Sequence, residues 1–199
     1  MSDDVGRLVG EAVSAWLAAT DEASYEQVTE ALLAAYDLDE DALVTRGLAM
    51  LTSADVAERA VGCDVVGLVA EVHEDWRATA ATSVIELAGS EDDPDVLSSV
   101  ARALGNCADV RAVPVLSRLA AHPDADIRFA VTVALPFVMD DDATGLAVDT
   151  LLVLASDYED DIREWALFGV GSMGHVDSRA IRNALRAGLD DSCEEGQGT

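Results

Sequence analysis

Two passages decide the fold: Asp126-Ile127-Arg128-Phe129-Ala130-Val131-Thr132-Val133-Ala134-Leu135 and Asp161-Ile162-Arg163-Glu164-Trp165-Ala166-Leu167-Phe168-Gly169-Val170. Each runs acid, β-branched residue, arginine, then small and apolar residues at helical spacing, and they lie 35 positions apart. Apolar residues recurring at three- and four-residue steps mark one face of a helix. Aligning on the arginine extends the pattern. The column reads Arg59, Leu97, Arg128 and Arg163, with steps of 38, 31 and 35 residues. An acid stands four before each (Asp55, Asp93, Asp124, Glu159) and a bulky aliphatic seven after (Val66, Leu104, Leu135, Val170). A residue expected to end the helix stands eight after: Gly67, Gly105, Pro136 and Gly171. Four columns agreeing over four rows at this period mark a helical solenoid.

Further helices fall between these rows. The stretches 76–88, 111–121, 143–155 and 178–189 read as first helices of pairs whose second helices carry the arginine column. Pro114 suits a first helical turn, where its missing amide costs nothing, and Asp177 or Ser178 is placed to cap the last helix. Upstream, residues 5–20 set Val5, Leu8, Val9, Ala12, Val13, Trp16 and Leu17 on one stripe. Ser24 to Gln27 has capping-box spacing and opens a second helix to about Tyr36. Asp39, Glu40 and Asp41 open a third, with acids at the positive end of the helix dipole. No stretch alternates with period two for long enough to argue a strand.

The pattern resembles HEAT repeats, specifically the short bacterial kind called PBS-lyase-type, whose second helix reads Asp-x-x-Val-Arg-x-x-Ala-x-x-Ala-Leu-Gly. Asp124, Ile127, Arg128, Ala134 and Leu135 carry it up to the closing glycine. Asp93 to Gly105 follows it with Leu97 in place of arginine, and the first row has Glu58 where an aliphatic belongs. The resemblance implies an all-α protein, an α-solenoid or superhelix of antiparallel helix pairs. It implies one HEAT-like domain over 1–191. Within it, 1–37 form a degenerate N-terminal cap pair, 38–175 the core repeats and 176–191 a C-terminal capping helix, with 192–199 a disordered tail. It says little of function, because such folds host scaffolds, lyase subunits, inhibitors and DNA-repair enzymes.

Charge narrows the partner classes. The net charge is −27, and all twelve basic residues are arginine. Such a field disfavours nucleic acid and anionic membranes, which bind by having phosphates neutralised, and it favours a basic protein. Acidity of this kind also serves solubility or a salty bacterial or archaeal cytoplasm. Cys63, Cys107 and Cys193 are odd in number and widely spaced. With an acidic N-terminus and no apolar run of membrane-span length, they point to reduced thiols in the cytoplasm. Cys63 and Cys107 read as packing residues.

Catalytic groups do not converge. His73, His122 and His175 stand in turns of different units without paired metal-ligand spacing, and Gly169 to Gly174 ends a helix where a dinucleotide fingerprint would end a strand. The acidic clusters 91–93, 140–142 and 157–161 lack the alternation of a calcium loop and read as caps. The expectation is therefore no catalytic residue, no cofactor and no metal. Arg59, Arg128 and Arg163 recur in register, so they read as structural pairs to the acid of a neighbouring unit. Arg179, Arg182 and Arg186 read as a solvated stripe.

Recognition is left to the positions one and five after the arginine column, which should face the concave surface. They are Ala60 and Asp64, Ser98 and Arg102, Phe129 and Val133, Glu164 and Phe168. Large apolar groups at Phe129, Val133 and Phe168 suggest an interface core with a polar rim; Trp165 is expected in the core. The reading is a non-enzymatic protein-binding module gripping a basic partner with Asp64, Ser98, Arg102, Phe129, Val133, Glu164 and Phe168. A concrete version is an inhibitor or immunity protein of a basic toxin. The alternatives are an accessory or lyase-like enzyme subunit and a DNA mimic. Oligomeric state is not legible.

Overall fold

The computed structural model describes residues 2–20, 22–140, 145–173 and 177–195, with the side chains of 2–3, 22–24 and 189–195 outside the description. Among the described residues the chain is helical throughout, without strands. The elements are α1 (Ser2–Ala18), α2 (Glu22–Leu38), α3 (Glu40–Met50), α4 (Val56–Val72), α5 (Glu74–Ala88) and α6 (Pro94–Cys107). After a 3₁₀ turn at Val110–Ala112 come α7 (Val113–Leu119), α8 (Ala125–Val138), α9 (Leu146–Leu154) and α10 (Asp160–Phe168). A π turn at Gly169–Met173 precedes α11 (Arg179–Glu195). The expected α-solenoid of helix pairs is the architecture observed. The chain divides into two compact units, Met1–Cys107 and Ala108–Thr199.

Acids start the helices as expected. Asp39 accepts from the Ala42 amide at 3.0 Å, Asp55 from Glu58 at 3.1 Å and Asp124 from Asp126 at 2.9 Å. Asp93 accepts from both Asp95 and Val96. Each bond satisfies an amide that has no partner inside its helix. Glu159 holds the same place before α10 without a side-chain bond. Pro114 sits in the first turn of α7. Ser24 lies inside α2 rather than before it, and its side chain is outside those described. Asp141, Asp142 and His175 lie outside the described residues.

The column eight after the arginine does not end helices. α4 runs five residues past Gly67, and α8 contains Pro136 and closes only at Val138. Gly67 serves packing instead: a Cβ there would stand 3.0 Å from the Ala103 Cα, so the bare backbone is what lets α4 and α6 touch. Pro136 has no amide to donate to the Thr132 carbonyl and its ring crowds that carbonyl, yet α8 continues two residues further, to Val138. At the other end, α11 continues to Glu195, over residues the sequence reading assigned to a tail; neither glycine nor proline breaks it between Gly188 and Gly196.

In the first unit α4 packs on α3, α5 and α6, and α1 lies on α2. Its core joins Val5 and Val9 to Val28, Leu32, Leu43, Val61 and Val65. In the second unit α8 packs on α10 and α7 on α9, around buried Leu116, Ile127, Leu135, Leu151 and Ile162. Each such side chain contributes about 1.5–3 kcal/mol on burial. Cys63 and Cys107 are fully buried, and burial pushes the Cys63 thiol well above its usual range.

Candidate functional site

The template arginines repeat one local geometry. Arg59, Arg128 and Arg163 each donate from Nη1 to the carbonyls six and five residues earlier. This ties each helix to the turn that feeds it. Two of them also reach the acid of the next repeat. Arg59 pairs with Glu91 through Nε at 2.6 Å and Nη2 at 3.1 Å, and Arg128 pairs with Asp157 at 2.8 and 2.9 Å. Both are bidentate, the strongest form of such a bond. Arg163 departs from the expectation: it pairs within its own helix, with Asp160. Leu97, which replaces the arginine in row two, is buried; the turn ahead of row three carries His122 where Glu91 and Asp157 stand. His122 Nδ1 accepts from the Asp124 amide at 3.1 Å. A recess of about 520 Å³ beside Leu51, Ser53, Leu87 and Glu91 opens onto Arg59, whose Nε, Nη1 and Nη2 are already bonded.

The positions expected to read a partner differ between the units. In the first, Ala60 is fully buried and belongs to the packed wall of α4, contrary to expectation. Asp64, Ser98 and Arg102 do come together, around a residue the repeat grid did not select. The Tyr25 hydroxyl donates to Asp64 Oδ2 and accepts from Arg102 Nη2, the latter at 3.1 Å. Arg102 also reaches Asp64 Oδ1 at 3.3 Å, Ser98 Oγ at 3.2 Å and Ser99 Oγ at 2.9 Å, and lies 5.4 Å above the Tyr25 ring. The Asp64 side chain is only 13% exposed. Burial pushes its carboxyl up, against the opposing pull of Arg102 and of the Tyr25 bond. Burial and the Asp64 charge push the Tyr25 phenol up as well. This face is occupied by the chain's own α2.

In the second unit the corresponding face is open and aromatic. Phe129 and Val133, one turn apart on α8, are half-buried, and Glu164 and Phe168, on α10, are exposed. Trp165, expected in the core, is 42% exposed, and Phe168 is 49% exposed. Trp165 meets Phe129 edge-on at 6.2 Å between centroids and 85°, and meets Phe168 at 5.6 Å and 82°. The same column, two after the arginine, holds Val61, Ser99 and Ala130 in the other rows, all buried and all smaller than an indole. A recess of about 320 Å³ is lined by Glu164, Trp165 and Phe168. The Arg179, Arg182 and Arg186 stripe is exposed as expected, with Arg182 paired to Asp177.

The family model described as HEAT repeats matches residues 48–136 and again 81–169, together more than half of the chain. The chain belongs to the HEAT-repeat family. Comparison with the curated proteins gave no match. Solved structures support the same architecture for this HEAT-repeat chain. It superposes on an engineered protein with a TM-score of 0.60 at 20% identity, over 89% of this chain and 50% of the other, so it spans half the length of that relative. It superposes on a designed armadillo repeat protein, solved in complex with the peptide (KR)4, with a TM-score of 0.60 at 13% identity, over 97% and 92% of the two chains. A third match is Kap121p bound to Ste12p, with a TM-score of 0.54 at 15% identity, over 98% of this chain and 21% of that one. At these identities the likeness is one of fold.

Proposed function

We propose that this HEAT-repeat chain is a non-enzymatic protein-binding module and that its reader is the α8 and α10 face of the second unit. The observation that carries this reading is the row Phe129, Trp165 and Phe168, three aromatic rings in edge-to-face contact with two of them close to half exposed. Grouped aromatics at a surface supply the buried anchors of interfaces, at low entropy cost and with large contact area. Val133 and Glu164 extend the patch from an apolar centre to a charged rim.

The partner we infer is a basic protein. A net charge of −27 attracts such a partner and speeds its capture. That the designed armadillo protein was solved with a (KR)4 peptide adds a case of a related architecture holding a cationic chain. An inhibitor or immunity protein of a basic toxin or nuclease is the concrete form of the reading. Asp64, Ser98 and Arg102, committed to Tyr25, take no part in it.

The test is capture of the native partner by the intact chain and by Phe129→Asp and Phe168→Asp. We expect either substitution to weaken binding by about 2 kcal/mol or more, the level of an interface hot spot. Undiminished capture by both variants sinks the reading. Tight retardation of DNA at low salt would instead favour a nucleic-acid role.

A further inference from the structure

The first unit assembles a cation, a carboxylate and an aromatic ring from its own chain: Arg102 over the Tyr25 ring at 5.4 Å, with Asp64 bonded to both. The second unit presents two of these three parts. Trp165 and Phe168 offer rings nearly perpendicular to one another, and Glu164 offers a carboxylate at the same recess. Glu164 is exposed, and its side chain forms no hydrogen bond or ion pair with any described residue. The adjacent Arg163 is spent on the Asp157 and Tyr158 carbonyls and on Asp160. The position that Val133 holds, one repeat on from Arg102, carries no charge. The recess therefore brings two exposed aromatic rings and an exposed carboxylate together without a cation between them.

We propose that the recess of Glu164, Trp165 and Phe168 holds an arginine or lysine side chain presented by a partner protein. The proposal rests on the protein-binding reading above and narrows it. The ring faces attract the cation through their quadrupole, the aliphatic stem of the side chain covers the apolar ring surface, and Glu164 neutralises the charged head. The strong negative field of the chain favours this occupant over a neutral or acidic one.

The test uses the full chain labelled with 5-fluorotryptophan, with the Trp165 fluorine resonance assigned by Trp165→Phe. The probes are a short peptide of alternating lysine and arginine and its glutamine counterpart. We expect the Trp165 resonance to move with the cationic peptide and to stay in place with the neutral one. Glu164→Gln and Trp165→Leu should each weaken binding about two- to fivefold, the range of an exposed charge pair or cation–π contact. Glu30→Gln, which removes one exposed charge from the first unit, serves as the control for attraction to acidic surface at large. Binding that leaves Trp165 unmoved, or a Glu164→Gln effect no larger than that of Glu30→Gln, overturns the proposal. Should Phe129→Asp and Phe168→Asp still abolish capture of the native partner in that case, the binding face stands and only the cation assignment falls.

Discussion

Arg128 and Arg163 occupy the same column with different consequences. Arg128 and Asp157 are 13% and 8% exposed, whereas the Asp160 partner of Arg163 is 66% exposed. Arg128→Ala takes both guanidinium bonds from a nearly buried carboxylate, which keeps only backbone donors such as the Glu159 amide, and takes the donor from two carbonyls; it should cost about 2–4 kcal/mol. Arg163→Ala should cost about 1 kcal/mol or less, since an exposed pair is screened by water. Urea denaturation of the two variants checks the contrast. The same pair sets a pH dependence. The bond from Arg128 holds the Asp157 carboxyl below its usual range, outweighing burial. A carboxylate whose folded pKa lies below its unfolded one gives stability that is present above about pH 4 and is lost as pH falls through the folded value. Glu91 acts in the same sense: burial raises its pKa, but the Arg59 bond and two backbone amides together outweigh it. Asp64 has the opposite sign, because burial raises it and protonation relieves that cost. Stability should therefore fall below about pH 4, and Arg128→Ala should flatten that acid limb, as read from urea midpoints across the range.

At the scale of elements, the repeated columns divide by what each side chain has room to do. The acid column caps, the arginine column ties a helix to its preceding turn, and the glycine at 67 admits a neighbouring helix. The terminus of α6 shows local strain: Ala108, just beyond it, has a φ of 48°. That left-handed conformation suits glycine at the position following a helix and costs alanine about 1 kcal/mol. Ala108→Gly should raise stability by about 0.5–1 kcal/mol, less the entropy glycine adds to the unfolded chain. A small upward shift in the thermal midpoint, with unchanged helicity by circular dichroism, is the expected result.

For the whole molecule the dominant fact is charge. With 39 acidic and 12 basic residues, like charges repel one another more in the compact state than in the expanded one. Salt screens that repulsion beyond about 10 Å at 0.1 M. Going from about 0.05 M to about 0.5 M sodium chloride should therefore raise the midpoint of thermal unfolding, by about 2–4 °C for each kcal/mol of repulsion relieved. A midpoint that falls with salt would mean that the attractive arginine pairs outweigh the net charge. The same screening should slow capture of the basic partner we propose, so salt is expected to stabilise the fold and weaken that encounter at once.

Periodicity by itself determined the helical class, the repeat and the structural use of Arg59, Arg128 and the capping acids. Each of these follows from spacing along one helix or from a step that recurs in register. Only the tertiary structure decided which grid positions are free. Tyr25 fills the face of Arg102 from 77 residues away, a contact that no local spacing encodes. Ala60 vanished into the wall because its column is set by how closely α4 is packed. Trp165 stands outside although Val61, Ser99 and Ala130 are buried in the same column, a difference that the repeat spacing does not encode. Pattern along the chain specifies which residues share a face; the distance between packed helices decides whether that face is filled, covered or left open.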